Sequence, residues 1–255
     1  MNFMNSIPVV NALLTANQRT GRHPQLTWYG HDGRIELSGD VLTNWINKTT
    51  NLLVEEIAID PGETVRIDLP PHWRTLVWQC ATLLAGGALD FTPPAHQPPH
   101  LARVIATNRP DEISAVSPQS EIYAVSLAPL ARTFGAPLPP HVIDAGPAVM
   151  GNSDALGYVP PITPNSPALY TSSTTITHEG LHDWVNGTLS APHTPPARRY
   201  LAVSPDTTTL DVLRSALHTW LNGGSIVLTD PVTTAELHTD PERKERILAS
   251  ENVTA

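Results

Sequence analysis

Hydrophobic and polar positions follow two periods along the chain. From Ser38 to Ile57 the apolar residues Val41, Leu42, Trp45, Ile46, Leu52, Leu53 and Ile57 recur at helical spacing, with Asn44, Asn47, Lys48, Asn51 and Glu55 on the other side. This predicts an amphipathic helix with Lys48 facing water. Asp60-Pro61-Gly62 turns the chain into TVRIDL, a β-branched run closed by Pro70-Pro71, and a second helix is predicted from Trp73 to Leu84, ending at Gly86-Gly87. ALDF, RVIAT and IYAVSL read as strands, the last two separated by the helix-starting PDEIS. Such alternation gives parallel sheets covered by helices.

Proline-rich breaks at TPPAHQPPH, GAPLPP and VPPITPNSP interrupt the pattern. The last of them marks the expected boundary between a first α/β lobe, residues 1–160, and a second, residues 161–255. In the second lobe ALYT, RYLAVS and SIVLT read as strands and a helix follows Thr177. Another helix runs from Thr208 to Asn222 and closes at Gly223-Gly224, and the charged tail DPERKERILASENVTA forms one more. The expected fold class is α/β, two lobes of mostly parallel sheet covered by helices.

Composition narrows the partners. The 255 residues are 40% hydrophobic, enough for a substantial core. A net charge of -9 opposes a nucleic-acid or anionic-membrane surface and leaves a protein partner or a small molecule. Cys80 is the single cysteine and lies in the apolar run LVWQCATLLAGG, so it reads as a buried helix residue and no intrachain disulfide can form. The N-terminal stretch has no basic residue before its apolar part, and a cytoplasmic location is expected. His96 and His100 have no carboxylate or cysteine company that would make them metal ligands.

The stretch YTSSTTITHEGLHDW, Tyr170 to Trp184, admits two parses. HEGLH matches the H-E-x-x-H pattern, in which His178 and His182 one helical turn apart hold zinc and Glu179 acts as the base. The pattern needs a third ligand. Val185 and Thr188 stand where the extended form has glycine and histidine, Asp183 is too close on the same helix, and only Asp206 or Asp211 remains. On a helical wheel Leu181, Trp184 and Val185 form the buried stripe, His178 borders it, His182 lies further round and Glu179 points nearly opposite. The competing expectation is an amphipathic helix with two histidines at its surface edge and no metal.

The second parse is a phosphate loop. LTWYGHDGRIELSGDVLTNWINKTTNLLVEEIAIDPGETVRIDLPPHWRTLVWQCATLLAGGALDF resembles the opening of the adenylate-forming superfamily, the acyl-CoA synthetases and related AMP-binding ligases. There a helix, a Pro-Gly turn, a strand, a second helix and an Ala-Gly turn follow in this order. YTSSTT resembles that family's TSGTTG loop, THEGL its downstream Thr-His-x-x-Leu, and GGSIVL with ENVTA the stretch after it. The chain thus looks like a short branch similar to the first part of the ligase N-terminal domain. The resemblance implies that Thr171, Ser172, Ser173, Thr174 and Thr175 are what remains of the phosphate loop.

Departures from the family are as informative. Ser173 replaces the loop's middle glycine, and its Cβ resists the positive φ that lets amides curl around phosphate. Thr174-Thr175 joins Thr177-His178 through Ile176 alone, so the loop tip and its lysine are gone. The family's metal-binding glutamate motif, ribose aspartate and C-terminal lysine have no counterpart up to Ala255. These departures imply a non-catalytic, ligase-like pseudoenzyme with a binding or regulatory role, with no catalytic residue and no cofactor. The alternatives are an acyl-adenylating enzyme completed by a partner, in which ATP and magnesium enter, and a zinc hydrolase built on His178, Glu179 and His182.

Overall fold

The computed structural model describes residues 19–93, 102–187 and 198–254, together with Val9, Ala12, Leu13 and Thr15. Among these the strands are β1 (Pro24–Gly30), β2 (Gly33–Ser38), β3 (Thr64–Asp68), β4 (Ala88–Asp90), β5 (Val104–Thr107), β6 (Glu121–Ala124), β7 (Val142–Asp144), β8 (Pro167–Tyr170), β9 (Thr175–Thr177), β10 (Arg198–Leu201) and β11 (Ser225–Thr229). The helices are α1 (Gly39–Asn51), continued by a π-helical turn at Leu52–Glu56, then α2 (Trp73–Leu84), α3 (Pro110–Val116), α4 (Ala145–Met150), α5 (Leu181–Asn186), α6 (Thr209–Leu221), α7 (Pro231–Thr239) and α8 (Pro241–Ser250). The fold is α/β, with parallel sheet flanked by helices. No helix among the described residues is long and apolar enough to cross a membrane.

Two compact units emerge, each drawn from separated stretches of sequence. One contains Asn44–Leu69 and Val77–His182, the other Asn11–Thr43, Pro70–Leu76 and Asp183–Ala255. The structure therefore groups the strands differently from a linear split at 160/161. Strand β8 lies beside β4, Leu89 facing Leu169, so the proline-rich stretch before it is a loop within the first unit. Strand β1 lies beside β11, Trp28 facing Leu228, which draws the N-terminal hairpin into the second unit.

In the first unit the sheet order is β7-β6-β5-β3-β4-β8-β9. Every neighbouring pair is parallel except β8 with β9. Val104, Ile105 and Ala106 of β5 are all buried, the continuous apolar run required of a strand covered on both faces. Cys80 is 1% exposed and packs as an apolar residue, its thiol pushed up to about 12 by burial. Gly86, at φ +84, makes the turn after α2, and a Cβ there would stand 2.9 Å from Ile162.

Asn44 and Glu55 on the polar side of α1 and its π-helical continuation are exposed, but Asn47, Lys48 and Asn51 do not face water. Lys48 pairs with Asp154 at 3.0 Å and donates to the Asn152 carbonyl. Asn47 donates to the carbonyl of Asp154, Asn51 to those of Ser153 and Ala155, and Asn51 Oδ1 accepts the amide of Gly157. Asn47 and Asn51 are buried as a result. The reason is backbone satisfaction: the 152–157 loop has no ladder partner, so its carbonyls take side-chain donors from the helix. Val41, expected in the apolar stripe, is exposed.

In the second unit the order is β10-β11-β1-β2, with β1 and β2 an antiparallel hairpin and the remaining pairs parallel. Helix α6 starts with a capping box of Thr208 and Asp211 and buries Leu213, Ala216, Leu217 and Trp220. Trp220 Nε1 donates to the Gln25 carbonyl at 3.2 Å, fixing the helix to β1. Asp230 and Asp240 each cap a helix whose first residue is proline, a pairing suited to a helix start. Glu251 follows the last of these helices and is buried, accepting hydrogen bonds from Tyr29, Arg34 and Arg198.

The predicted strands and the helices α1, α2, α3, α6 and α8 are present. The β1/β2 hairpin, β7 with α4, β9 and α7 are additions that the hydrophobic pattern did not predict. His96 and His100 lie outside the described residues.

Candidate functional site

The carboxyl ends of parallel strands gather polar side chains, and in open α/β sheets ligands bind outside these ends where strand order reverses. In the first unit β3 lies between β5 and β4, with β8 beyond β4. Two aspartates sit at these ends. Asp68, the last residue of β3, accepts Arg109 Nη2 at 2.8 Å and the Thr107 hydroxyl at 2.7 Å. Asp90, the last of β4, accepts Arg66 Nη1 at 3.1 Å and both the amide and hydroxyl of Thr92. Each carboxylate is thus already matched by a guanidinium. Among the described residues no group of three histidine, cysteine, aspartate or glutamate side chains is placed to hold a metal ion.

The loop that resembles the phosphate loop follows β8 in this row. Strands β8 and β9 form a hairpin in which Tyr170 faces Thr175, and Thr171 to Thr174 make its turn. Thr171 closes the turn on itself. Its Oγ1 accepts the amide of Thr174 at 3.0 Å and that of Ser173 at 3.4 Å, and its hydroxyl donates to the Thr174 carbonyl at 2.9 Å. The Thr171 amide also donates to the Thr174 carbonyl, at 3.0 Å. Ser172, Ser173, Thr174 and Thr175 are exposed. The five residues are therefore contiguous at a strand end, but two amides that could face an anion are directed at Thr171 instead.

HEGLH is not a single helix. His178 and Glu179 precede α5, which begins at Leu181. The Glu179 amide donates to the Pro164 carbonyl and the His178 amide to that of Ser166. His178 is fully buried rather than at a surface edge, and its Nε2 donates to the Gly86 carbonyl at 3.2 Å. Burial holds its pKa below the ordinary histidine value, only partly offset by the carbonyls of Gly86 and Gly87. Glu179 and His182 are exposed. The expected wheel fails because Gly180 and the β8/β9 hairpin end the extended chain only at Thr177, so the helix starts a turn later. His178 therefore ties the end of the hairpin to the turn after α2.

No motif contains Asp68, Arg109, Arg66 or Asp90. Asp68 and Asp90 stand as the last polar residue of their predicted strands and Arg109 just beyond one, whereas Arg66 lies inside its strand and carries no such signal.

No family model matches the chain. Over 54 residues, 20% of this chain and 22% of the other, it is 48% identical to a protein of Mycobacterium tuberculosis (strain ATCC 25618 / H37Rv) described as a TIGR03089 family protein. Coronafacic acid ligase from Pectobacterium brasiliense superposes with a TM-score of 0.67 at 13% identity, over 88% of this chain and 46% of that one. An acyl-CoA synthetase from Brucella canis gives 0.66 at 17% identity, over 86% and 42%. Acetoacetyl-CoA synthetase from Streptomyces lividans gives 0.65 at 17% identity, over 87% and 38%. The chain spans less than half the length of these structures. It shares the fold of part of an adenylate-forming ligase, that of the N-terminal domain.

Proposed function

We propose that this chain is a binding or regulatory protein with a ligase fold and no adenylating activity of its own. The observation that supports the reading is the turn at Thr171 to Thr174, whose Ser173 and Thr174 amides donate inward to the Thr171 hydroxyl. Attack of a carboxylate on the α-phosphate of ATP builds negative charge that fixed donors and cations must meet. Neutral, exposed hydroxyls with no lysine or arginine between Thr171 and Trp184 meet it poorly. Nor do the nearby strand ends supply an uncompensated charge, since Arg66 and Arg109 hold Asp90 and Asp68.

Calorimetry with magnesium and ATP, followed by exchange of labelled pyrophosphate into ATP with a panel of carboxylic acids, tests this reading. Neither saturable heat in the micromolar range nor exchange is expected. Low-micromolar ATP binding that weakens in Thr174→Ala would overturn it.

A second reading draws on coverage: the chain aligns with 46% of coronafacic acid ligase. In that reading it is one part of an acyl-adenylating enzyme completed by another polypeptide, with ATP and magnesium bound only in the assembled site. Exchange that appears only when a co-purified partner is returned would favour this second reading.

A further inference from the structure

In the second unit Arg199 and Arg214 combine, among the described residues, an absent ion-pair partner with a buried guanidinium nitrogen that has no hydrogen-bond partner. Arg34, Arg66, Arg103, Arg109, Arg198 and Arg243 each hold a carboxylate in the structure. Arg199 in β10 and Arg214 in α6 hold none, and Arg199 Nη1 and Arg214 Nε are buried without a hydrogen-bond partner. The Arg214 guanidinium lies over the Trp184 ring, 5.2 Å from its centroid. Buried donors normally have partners, so each orphan requires an account.

A third orphan lies with them. His218, one turn after Arg214 on α6, is 1% exposed. Its Nδ1 lies 3.2 Å from Asn186 Oδ1, which can only accept, so Nδ1 carries the proton and Nε2 presents a lone pair. That Nε2 is buried and has no hydrogen-bond partner among the described residues. Asp211, Ser215 and His218 follow one another at helical spacing on one side of α6, and Asp211 and Ser215 line a cavity together with Arg199, which sets the β10 arginine against the helix side that carries His218. Burial, and then the charges of Arg199 and Arg214, hold the imidazole below its ordinary pKa. Two cationic donors and one neutral acceptor are therefore carried by one side of α6 and the strand it covers, each with a polar atom that has no hydrogen-bond partner among the described residues.

That cavity, of about 310 Å³, lies beside them, with Ser215 and Thr207 as polar walls and Leu201, Val203 and Val212 as apolar ones. Asp211 lines it too, its carboxylate accepting from the amide and hydroxyl of Thr208.

We infer that Arg199, Arg214 and His218 form a site for a phosphate monoester, with its phosphate among the three side chains and its organic part in the adjoining cavity. A singly protonated phosphate fits this set: its ionised oxygens accept from the two arginines while its P–O–H donates to His218 Nε2. Sulfate carries no proton at neutral pH and leaves Nε2 unsatisfied. Asp211 repels further negative charge in the cavity, which disfavours a di- or triphosphate. This site does not involve the Thr171 turn, and it stands or falls independently of the proposed function.

The test is calorimetry of the full chain at neutral pH with inorganic phosphate, n-butyl phosphate, sulfate and ATP. Both phosphates are expected to bind, the butyl ester about tenfold tighter through its buried methylenes, and sulfate and ATP at least about tenfold weaker for want of a proton donor and through the repulsion of Asp211. Arg199→Gln and Arg214→Gln are each expected to weaken butyl phosphate by about 10- to 100-fold, the usual range for a charged hydrogen bond, with Arg243→Gln unchanged. Folding is read separately, from the melting temperature without phosphate. It is expected to hold in Arg199→Gln, which relieves an unmatched cation, and to fall slightly in Arg214→Gln, which loses the contact with the Trp184 ring. No binding of butyl phosphate, or equal binding by wild type and Arg199→Gln, would overturn the site. Equal affinity for the two phosphates would overturn the role of the cavity.

Discussion

The turn at Thr171 to Thr174 and the cluster of Arg199, Arg214 and His218 reverse what their sequences advertise. The turn resembles a phosphate loop, yet its donors are consumed within four residues by one threonine. The cluster belongs to no motif, yet it holds donors and an acceptor that no group among the described residues satisfies. Phosphate affinity depends on polar groups that are present and uncommitted, and a motif reports only the first of these conditions.

The widest lever on this contrast is acid, because both regions rely on interior histidines kept neutral. In the second unit His72 is also buried, accepting the Arg74 amide on Nδ1, and burial together with the Arg74 charge lowers its pKa to about 3. His178 in the first unit is shifted in the same direction. A histidine whose folded pKa lies below its unfolded value leaves the unfolded chain with more bound protons between the two values. Stability is then fully present above the unfolded pKa, about 6.5, and is lost as pH falls toward the folded one. Each such histidine contributes a slope of at most about 1.4 kcal/mol per pH unit inside that window. Urea unfolding between neutral pH and pH about 4 is expected to show this loss, and a flat profile would contradict the buried, neutral assignment.

Next in size is His178→Ala. It is expected to destabilise by about 2–4 kcal/mol, from a cavity and from the loss of the donor to the Gly86 carbonyl. Urea unfolding reads the loss, and a change within about 0.5 kcal/mol, typical of surface sites, would place His178 outside the core. A smaller effect follows from Thr171→Val, which removes the acceptor for two amides on an exposed turn. The expected cost is about 1–2 kcal/mol, measured the same way, with no change in the heat of mixing with magnesium and ATP. Improved ATP binding in this variant would mean that Thr171 withholds amides from a loop that still functions.

Much of the fold was legible from local chemistry. VIAT, EIYA and SIVLT carry apolar runs bounded by turn residues, and Thr208 with Asp211 marks the start of α6 in three letters of spacing. Asp-Pro occurs at 230–231 as well as at 240–241, and the first occurrence starts α7 just as the second starts α8. What was not legible depends on partners distant in sequence. Asn47, Lys48 and Asn51 look like a solvent face until the carbonyls of the 152–157 loop are seen to need them. Val142 to Asp144 is a strand because Ile122 and Tyr123 lie beside it, not because three residues declare a period. Of the site, the Thr171 turn was visible as a motif, but its inward hydrogen bonds were not. Arg199, Arg214 and His218 could not be singled out, because a missing counter-charge is a property of space and not of spacing.

The pairing of β1 with β11 also sets a timetable for the nascent chain. Leu26 faces Ile226 and Tyr29 faces Thr229, so the second sheet cannot close until the chain has left the ribosome as far as Thr229, about two hundred residues after β1. The parallel pairs of β3, β4, β5, β6 and β7 all lie between Thr64 and Asp144 and can form well before that. Throughout the interval the β1/β2 hairpin presents the row of backbone groups on β1 that β11 will later occupy, an open strand edge of the kind that recruits neighbouring chains. The rate of translation, as well as the final stability, therefore bears on how much of this protein reaches its native form.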